Sequence, residues 1–356
     1  MSKPYNVAVV GYGLSAKIFH IPFILPVPDL KLYAIVQRSP KPDDDCSKDH
    51  PGVKSYRSVD EVYTDPDVDV VVITTIPETH YEMTKKSLEA GKHCVVEKPF
   101  VPTAKEAEEL AAISHKTGKH LAVYQNRRWD SDYQTLLKVL REGILGDIAE
   151  FETHFDRHRP DAPPESWKTK GSPATGAVYD LGAHLIDQVY HSFGMPETVT
   201  GFVGNQRRSV KGGSPDSCTM LLSYKEGMLV TAKAGVVSPE EEQLRFWIRG
   251  SKGSFRKNHL DVQEDQLKAG LRPGDKGYGV DPESHFATLT TTESGEPKAR
   301  RLPTVEPPTY VEYYNIFARA LKRDGEVPVK AEEAAAVLKI IEAAIESSQS
   351  GRRVAM

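Results

Sequence analysis

The chain has 356 residues, 39% of them hydrophobic and 27% charged, with a formal net charge of −4. That balance belongs to a soluble globular protein long enough for two domains, and it offers no general cationic surface for nucleic acid or for an anionic membrane. Three scattered cysteines, Cys46, Cys94 and Cys218, argue against a disulfide framework or a zinc cluster, and no apolar run approaches a membrane span; a cytoplasmic, reducing setting with no metal site is expected.

Asn6–Val10 reads as a short buried strand, followed at once by Gly11-Tyr12-Gly13-Leu14-Ser15-Ala16. This is the G-x-G-x-x-A form of a dinucleotide fingerprint. Gly11 permits the tight turn, Gly13 lets the backbone approach a pyrophosphate, and Ala16 lets the next helix pack on the strand. Gly11, Gly13, Leu14, Ser15 and Ala16 are thus the expected phosphate loop, with the pyrophosphate on amides at a helix start. A bare glycine turn is the plainer reading of the same residues. The second strand, Leu30–Val36, ends in Gln37-Arg38-Ser39, where an NAD-binding fold usually carries an acid for the ribose hydroxyls. Here the acid is missing. Arg38 offers a planar donor fork and Ser39 a hydroxyl, both suited to a 2′-phosphate, so NADP is expected in preference to NAD.

Val59–Val62 starts a short helix, and the buried parallel-type strand Val68–Ile73 delivers Thr74, Thr75 and Pro77 to the sheet edge. Glu78–Ala90 reads as a helix closed by Gly91, with His80 in its first turn as a cofactor neighbour. The run His93–Val96 ends in Glu97-Lys98-Pro99, so Glu97 and Lys98 stand at the carboxyl end of a strand, where open parallel sheets bind ligands. Thr103–Lys116 is another helix. His120–Val123 then hands over to Tyr124-Gln125-Asn126-Arg127-Arg128-Trp129, and the expected domain boundary falls there. Residues 1–125 form an NAD(P)-binding Rossmann domain in this reading, and 126–356 an α+β domain for substrate and subunit contacts. Asn126 and Arg127 are expected at the cofactor.

Residues 148–157 alternate apolar and polar, and strand-like runs recur at 198–206, 217–224, 228–236, 243–249 and 253–258. They predict a large, mostly antiparallel open sheet. Helical spacing over 179–193 interrupts it, residues 268–284 read as a long loop, and a final helix near 331–348 is expected to pack back toward the first domain. On the 179–193 helix, Asp180 and His184 lie four residues apart and so share a face, with Asp187 on the adjoining stripe. A histidine poised near neutral pH is the usual proton acceptor for an alcohol losing hydride; an ordinary helical Asp–His pair is the plainer reading. His154, Arg157, His158 and Arg159 form a basic cluster at a strand end that could line a polar cleft or simply meet solvent, and Trp167 could pack over such a cleft or in the core. The other histidines, His20 among them, show no metal-ligand spacing and read as structural or surface.

Together these residues resemble the Gfo/Idh/MocA oxidoreductase family over essentially the whole chain, most specifically in Glu97-Lys98-Pro99 and in Tyr179-Asp180-Leu181-Gly182-Ala183-His184-Leu185-Ile186-Asp187. Phe19-His20, Tyr124 to Asp130 and Gly194-Met195-Pro196 carry a closer likeness to NADP-dependent scyllo-inositol 2-dehydrogenase-type members. One departure is the lead-in Thr175-Gly176-Ala177-Val178-Tyr179. The resemblance implies that Lys98, Asp180 and His184 are the catalytic set, that NAD(P) is bound, and that the C-terminal sheet joins subunits into a dimer or tetramer. The expected activity is hydride transfer between nicotinamide and a carbinol carbon of a polyol or sugar met by Lys98, Tyr124, Asn126, Arg157, Trp167, Asp180 and His184. Two other readings stay open: a regulator that senses ligand and binds NADP without turnover, and a reductase of a non-carbohydrate carbonyl or imine.

Overall fold

The computed structural model describes residues 3–161, 171–207, 213–292 and 295–356. They fall into two compact units. The first is Met1–Asn126 with two later segments, Asp265–Tyr278 and Thr309–Ala335; the second is Arg127–Glu264, Gly279–Pro308 and Ala336–Met356.

The first unit alternates strand and helix: β1 (Tyr5–Val10), α1 (Ile21–Ile24), β2 (Leu30–Val36), α2 (Cys46–Asp49), β3 (Lys54–Tyr56), α3 (Val59–Thr64), β4 (Val70–Ile73), α4 (Pro77–Glu89), β5 (His93–Val96), α5 (Ala104–Thr117) and β6 (Leu121–Val123). The six strands are all parallel, in the order β3-β2-β1-β4-β5-β6. This is the doubly wound order, and it sets the carboxyl ends of β1, β4 and β5 side by side. Val7–Val10, Val70–Ile73 and Cys94–Val96 are buried along their whole length, as strands covered on both faces must be. Helix starts follow local chemistry. Ser58 with Glu61 and Thr103 with Glu106 form reciprocal caps on α3 and α5, and Gly118 closes α5.

The helix expected after Gly13 takes another form. From Ala16 to His20 the chain makes a wide π-helical turn, and the α-helix that follows is only Ile21–Ile24. Pro22 lies at its start and has no N–H for a regular i−4 bond, so the coil there is not tied to the tighter α spacing. His20, read from the sequence as structural or surface, ends fully buried.

The second unit is built from α6 (Ser131–Arg141), β7 (Ile148–Asp156), α7 (Ala177–Asp180), α8 (Gly182–Phe193), β8 (Thr198–Gly204), β9 (Ser217–Ser223), β10 (Leu229–Gly235), β11 (Leu244–Gly250), β12 (Gly253–Asn258), β13 (Ala287–Thr291), β14 (Lys298–Leu302) and β15 (Val354–Ala355). Its nine strands run in the order β14-β13-β12-β11-β7-β10-β9-β8-β15, and only β7 and β10 pair in parallel. The mostly antiparallel open sheet is therefore present, longer than expected by β13, β14 and β15. Phe151, Phe246, Ile248 and Val230 on one face share a core with Leu136 of α6 and with Leu185 and Val189 of α8. Phe202 and Leu229 stay exposed.

Three further helices complete the chain: α9 (Gln263–Lys268), α10 (Val311–Leu321) and α11 (Ala331–Ser350). Helix α10 belongs to the first unit, where the Tyr5 hydroxyl donates to the Leu321 carbonyl at 2.8 Å and Tyr310 meets Phe23 edge-on. Helix α11 has its first turn in the first unit and the remainder in the second. No helix among the described residues is long and apolar enough to cross a membrane.

Candidate active site

In the first unit, five strand exits lie along one sheet edge. After β1, Gly11 has φ +102° and donates its N–H to the Val36 carbonyl at 3.0 Å. A Cβ there would lie 2.8 Å from the Thr74 Oγ1, while one on Gly13 would meet nothing within 4 Å. Leu14 is 65% exposed and Ala16 is buried. The Ser15 hydroxyl is donated to the Glu97 carboxylate. After β4, Thr74 donates to the Val10 carbonyl at 3.0 Å, Thr75 and Thr79 share a hydrogen bond of 2.7 Å, and Pro77 opens α4. His80 is fully buried, with its ring nitrogens 3.0–3.1 Å from the carbonyl oxygens of Thr75, Pro99 and Phe100. It therefore pins the β4 and β5 exits to each other, and burial lowers its pKa.

After β2, the Gln37 amide is engaged on both sides: it donates to the Asp44 carbonyl at 2.7 Å and accepts from the Cys46 N–H at 2.8 Å. Arg38 and Ser39, next in the chain, are exposed. After β5 come Glu97, Lys98 and a cis bond to Pro99. Glu97 accepts from the Lys98 N–H and from His20 Nε2, both at 2.9 Å. Burial pushes this carboxyl up, but the His20 and Ser15 hydrogen bonds and the Lys98 charge overrule it and hold the pKa at about 2. After β6, Tyr124 is buried. Its hydroxyl is donated to the Phe19 carbonyl and its ring packs against His20 at 4.1 Å, so the hydroxyl expected to meet substrate serves the interior of the first unit. Asn126 follows, also largely buried.

This edge fits a dinucleotide. The open backbone at Gly13 would take the pyrophosphate, and exposed Arg38 and Ser39 the adenosine end. The buried Gln125 Oε1 has no hydrogen-bond partner among the described residues, and it is an acceptor of the kind a carboxamide pairs with.

In the second unit, Gly176 has φ +91°, and a Cβ on it would lie 2.6 Å from the Pro215 carbonyl oxygen. That same oxygen accepts the Ala177 N–H at 2.7 Å and so anchors the start of α7. The helix expected over 179–193 breaks at Leu181, with Asp180 the last residue of α7 and His184 in the first turn of α8. Asp180 and His184 thus straddle a joint instead of sharing one unbroken helical face. His184 is buried and stacks on Phe155, with ring centroids 6.4 Å apart. Arg127 and Arg157 both stand over the same ring, each with Cζ 4.8 Å from its centroid.

The two arginines differ. Arg127 is ion-paired with Asp130 at 3.2 Å and with Glu264, and it belongs to the second unit. The Arg157 side chain makes no hydrogen bond or ion pair with another described residue. Burial, with Arg159 and Arg127 adding repulsion, lowers its pKa against the attraction of Glu264 and Asp180. His154 turns instead to Glu152 and Asp156, at 3.3 and 3.1 Å. Trp167 lies outside the described residues.

Asp187 is taken by a bidentate pair with Arg128, at 2.9 and 2.7 Å, both side chains buried. This joins the chain before α6 to α8, the helix that carries His184. Arg128→Ala leaves the carboxylate buried and unpaired, and a loss of about 3–5 kcal/mol is expected in a urea titration. Among the described residues, no group of three or more His, Cys, Asp or Glu side chains could hold a metal ion.

A doubly wound sheet with a glycine loop and a lysine at its ligand-binding edge, continued in one chain by a large open sheet beneath an Asp–His helix, defines a two-domain, dinucleotide-binding oxidoreductase. Residues 5–125 match the oxidoreductase family's NAD-binding Rossmann fold, and residues 138–356 match its C-terminal alpha/beta domain. The chain belongs to the Gfo/Idh/MocA oxidoreductase family. It is 37% identical to the scyllo-inositol 2-dehydrogenase (NADP(+)) IolW of Bacillus subtilis, over 98% of this chain and 95% of that protein. A more distant relative is the D-glucoside 3-dehydrogenase of Escherichia coli, 30% identical over 55% of this chain and 56% of that protein. The structure of yvaA from Bacillus subtilis superposes with a TM-score of 0.94 at 35% identity, covering 99% of each chain.

Proposed function

We propose that the protein is an NADP(H)-dependent dehydrogenase acting on a carbinol or carbonyl carbon of a polyol or sugar, inositol-like or aldose-like. The observation that carries this reading is Lys98 at the β5 exit, on the same sheet edge as the glycine loop and Thr74. NADP, when bound, supplies the hydride acceptor. The remaining work falls to side chains. The Lys98 ammonium hydrogen-bonds the reacting oxygen and stabilises its negative charge as that develops. His184 takes the hydroxyl proton in oxidation and returns it in ketone reduction. Asp180 holds a substrate hydroxyl and biases the imidazole. Arg157 contributes a donor fork beside this pair. Two relatives named for scyllo-inositol and for glucosides support a polyhydroxylated substrate. A homo-oligomer, dimer or tetramer, through the exposed face around Phe202 and Leu229 belongs to the same reading.

The test is a panel of inositols, aldoses and ketoses offered with NADP and with NAD, followed by the absorbance of the reduced nicotinamide. Turnover of at least one cyclic polyol or aldose, faster with NADP, is expected. Tight NADPH binding with no turnover across the panel would favour the sensing regulator and end the assignment.

A further inference from the structure

His20 was read from sequence as one more structural or surface histidine, yet it touches the carboxylate next to Lys98. We propose that His20 is a positioning residue: through Glu97 it ties the glycine loop to the backbone of Lys98, so that seating the dinucleotide and aiming the lysine are one event. This rests on the role given to Lys98 above.

Glu97 is the bridge. Its Oε1 takes the Ser15 hydroxyl, from the glycine loop, and His20 Nε2 at 2.9 Å; its Oε2 takes the Lys98 N–H at 2.9 Å. An ionised carboxylate, acceptor at both oxygens and donor at neither, suits these three donors. His20 meets that demand with the proton on Nε2, which leaves Nδ1 to accept from the Tyr314 hydroxyl at 2.5 Å. Tyr314, from α10, is itself fully buried, and the Tyr124 ring lies 4.1 Å from the imidazole, so His20 is held in orientation as well as in tautomer. Position along the chain adds to this, because His20 closes the π-helical turn that begins directly after Ser15. The loop's path and the carboxylate's charge therefore depend on one side chain.

The groups acting on Glu97 come from every neighbouring element. Lys98 and His20 favour its charge, and His80 from α4 feels that charge. The buried hydroxyls of Tyr124 and Tyr314 are pushed further from ionising by it. Without His20 the carboxyl loses its largest favourable partner. Burial then weighs against only the Ser15 and Lys98 contacts that remain, and the carboxyl's pKa rises. A protonated carboxyl turns one acceptor oxygen into a donor, and the bridge between Ser15 and the Lys98 N–H fails.

The test uses the full chain with His20→Leu, His20→Gln, Tyr314→Phe and Ser15→Ala, measuring NADPH binding by nucleotide fluorescence and melting temperature of the free protein across pH. Wild-type affinity should be flat between about pH 5 and 8. His20→Leu should bind on the order of tenfold more weakly at the acid end and recover as pH rises. Glutamine, whose amide both donates and accepts, should restore the flat profile. Ser15→Ala should weaken the wild type yet add little to His20→Leu.

Melting has the opposite sense. A carboxyl with raised pKa loses its stabilising contribution as pH climbs through that value, so His20→Leu should melt progressively lower toward pH 8. Tyr314→Phe should shift both profiles the same way by less, and it decides the matter if His20→Leu does not fold. A binding loss equal at every pH, with no rescue by glutamine, or pH profiles like the wild type's in His20→Leu or, failing that, in Tyr314→Phe, would overturn the proposal. Neither readout involves turnover. A wild type that binds NADPH but turns nothing over ends the functional reading and leaves this bridge to be judged on its own.

Discussion

Lys98→Ala and His184→Ala should each lose about 10²–10⁴-fold in turnover while still binding NADPH, the usual scale for removing a positioned acid–base group or a charge-stabilising donor. The reason differs for each. Lys98 stands at a strand exit where the preceding Glu97 is held by His20 and Ser15. Alanine there removes the ammonium but keeps the His20, Ser15 and backbone N–H contacts of Glu97, so the loss should fall mainly on kcat and leave the nucleotide dissociation constant near that of the wild type. His184 is buried, with its ring against Phe155. His184→Ala should show a flattened pH profile as well as a low rate, since the group that must be unprotonated to accept the proton is gone. Asparagine at 184 keeps much of the volume and separates packing from proton transfer. Near-wild-type turnover in both alanine variants, with substrate identified, would dismiss the assigned chemistry.

Arg38→Asp should lower NADP affinity by about 10- to 100-fold and improve NAD, because a charge-assisted hydrogen bond is worth about 1.5–3 kcal/mol and a carboxylate would replace attraction with repulsion toward a 2′-phosphate. The structure makes this a clean exchange. The preceding Gln37 is held by Asp44 and Cys46 and offers nothing to a ribose, and Arg38 is exposed, so the substitution disturbs no packed neighbour. The ratio of kcat/KM for the two cofactors is the measurement. An unchanged ratio would show that the 2′-phosphate is read elsewhere, and Ser39 would be the next position to vary.

Much of the fold was legible because its signals are local. The β1 strand with its glycine loop, the apolar runs of β4 and β5, the glycine stop at Gly91 after α4 and the alternation along β7 each lie within a dozen residues. What escaped had misleading composition. Strand β14 is Lys-Ala-Arg-Arg-Leu, which reads as solvated chain, yet basic residues are what an edge strand carries to discourage further pairing. Helix α10 buries Tyr313, Tyr314, Phe317 and Leu321 at helical spacing, but nothing in that spacing says it belongs to the unit that began with residue 1. The helical pattern over 179–193 was sound as periodicity, while its break at Leu181 arises where α7 is anchored through Pro215, far along the chain.

The two architectures, and the residue types that could do chemistry, are written in the chain itself: a glycine loop, an arginine where an acid is usual, a lysine at a strand exit, and an aspartate and histidine close together. How those side chains are employed is set by the packing. It took Tyr124 and Asp187 into internal contacts, left the Arg157 side chain without a hydrogen bond or ion pair among the described residues, and brought His20 to Glu97, 77 residues away, and to Tyr314, 294 residues away. The physical reason is range. Turn chemistry and hydrophobic period are set by neighbours in the chain, whereas the partner of a buried polar group is set by whichever element packs over it.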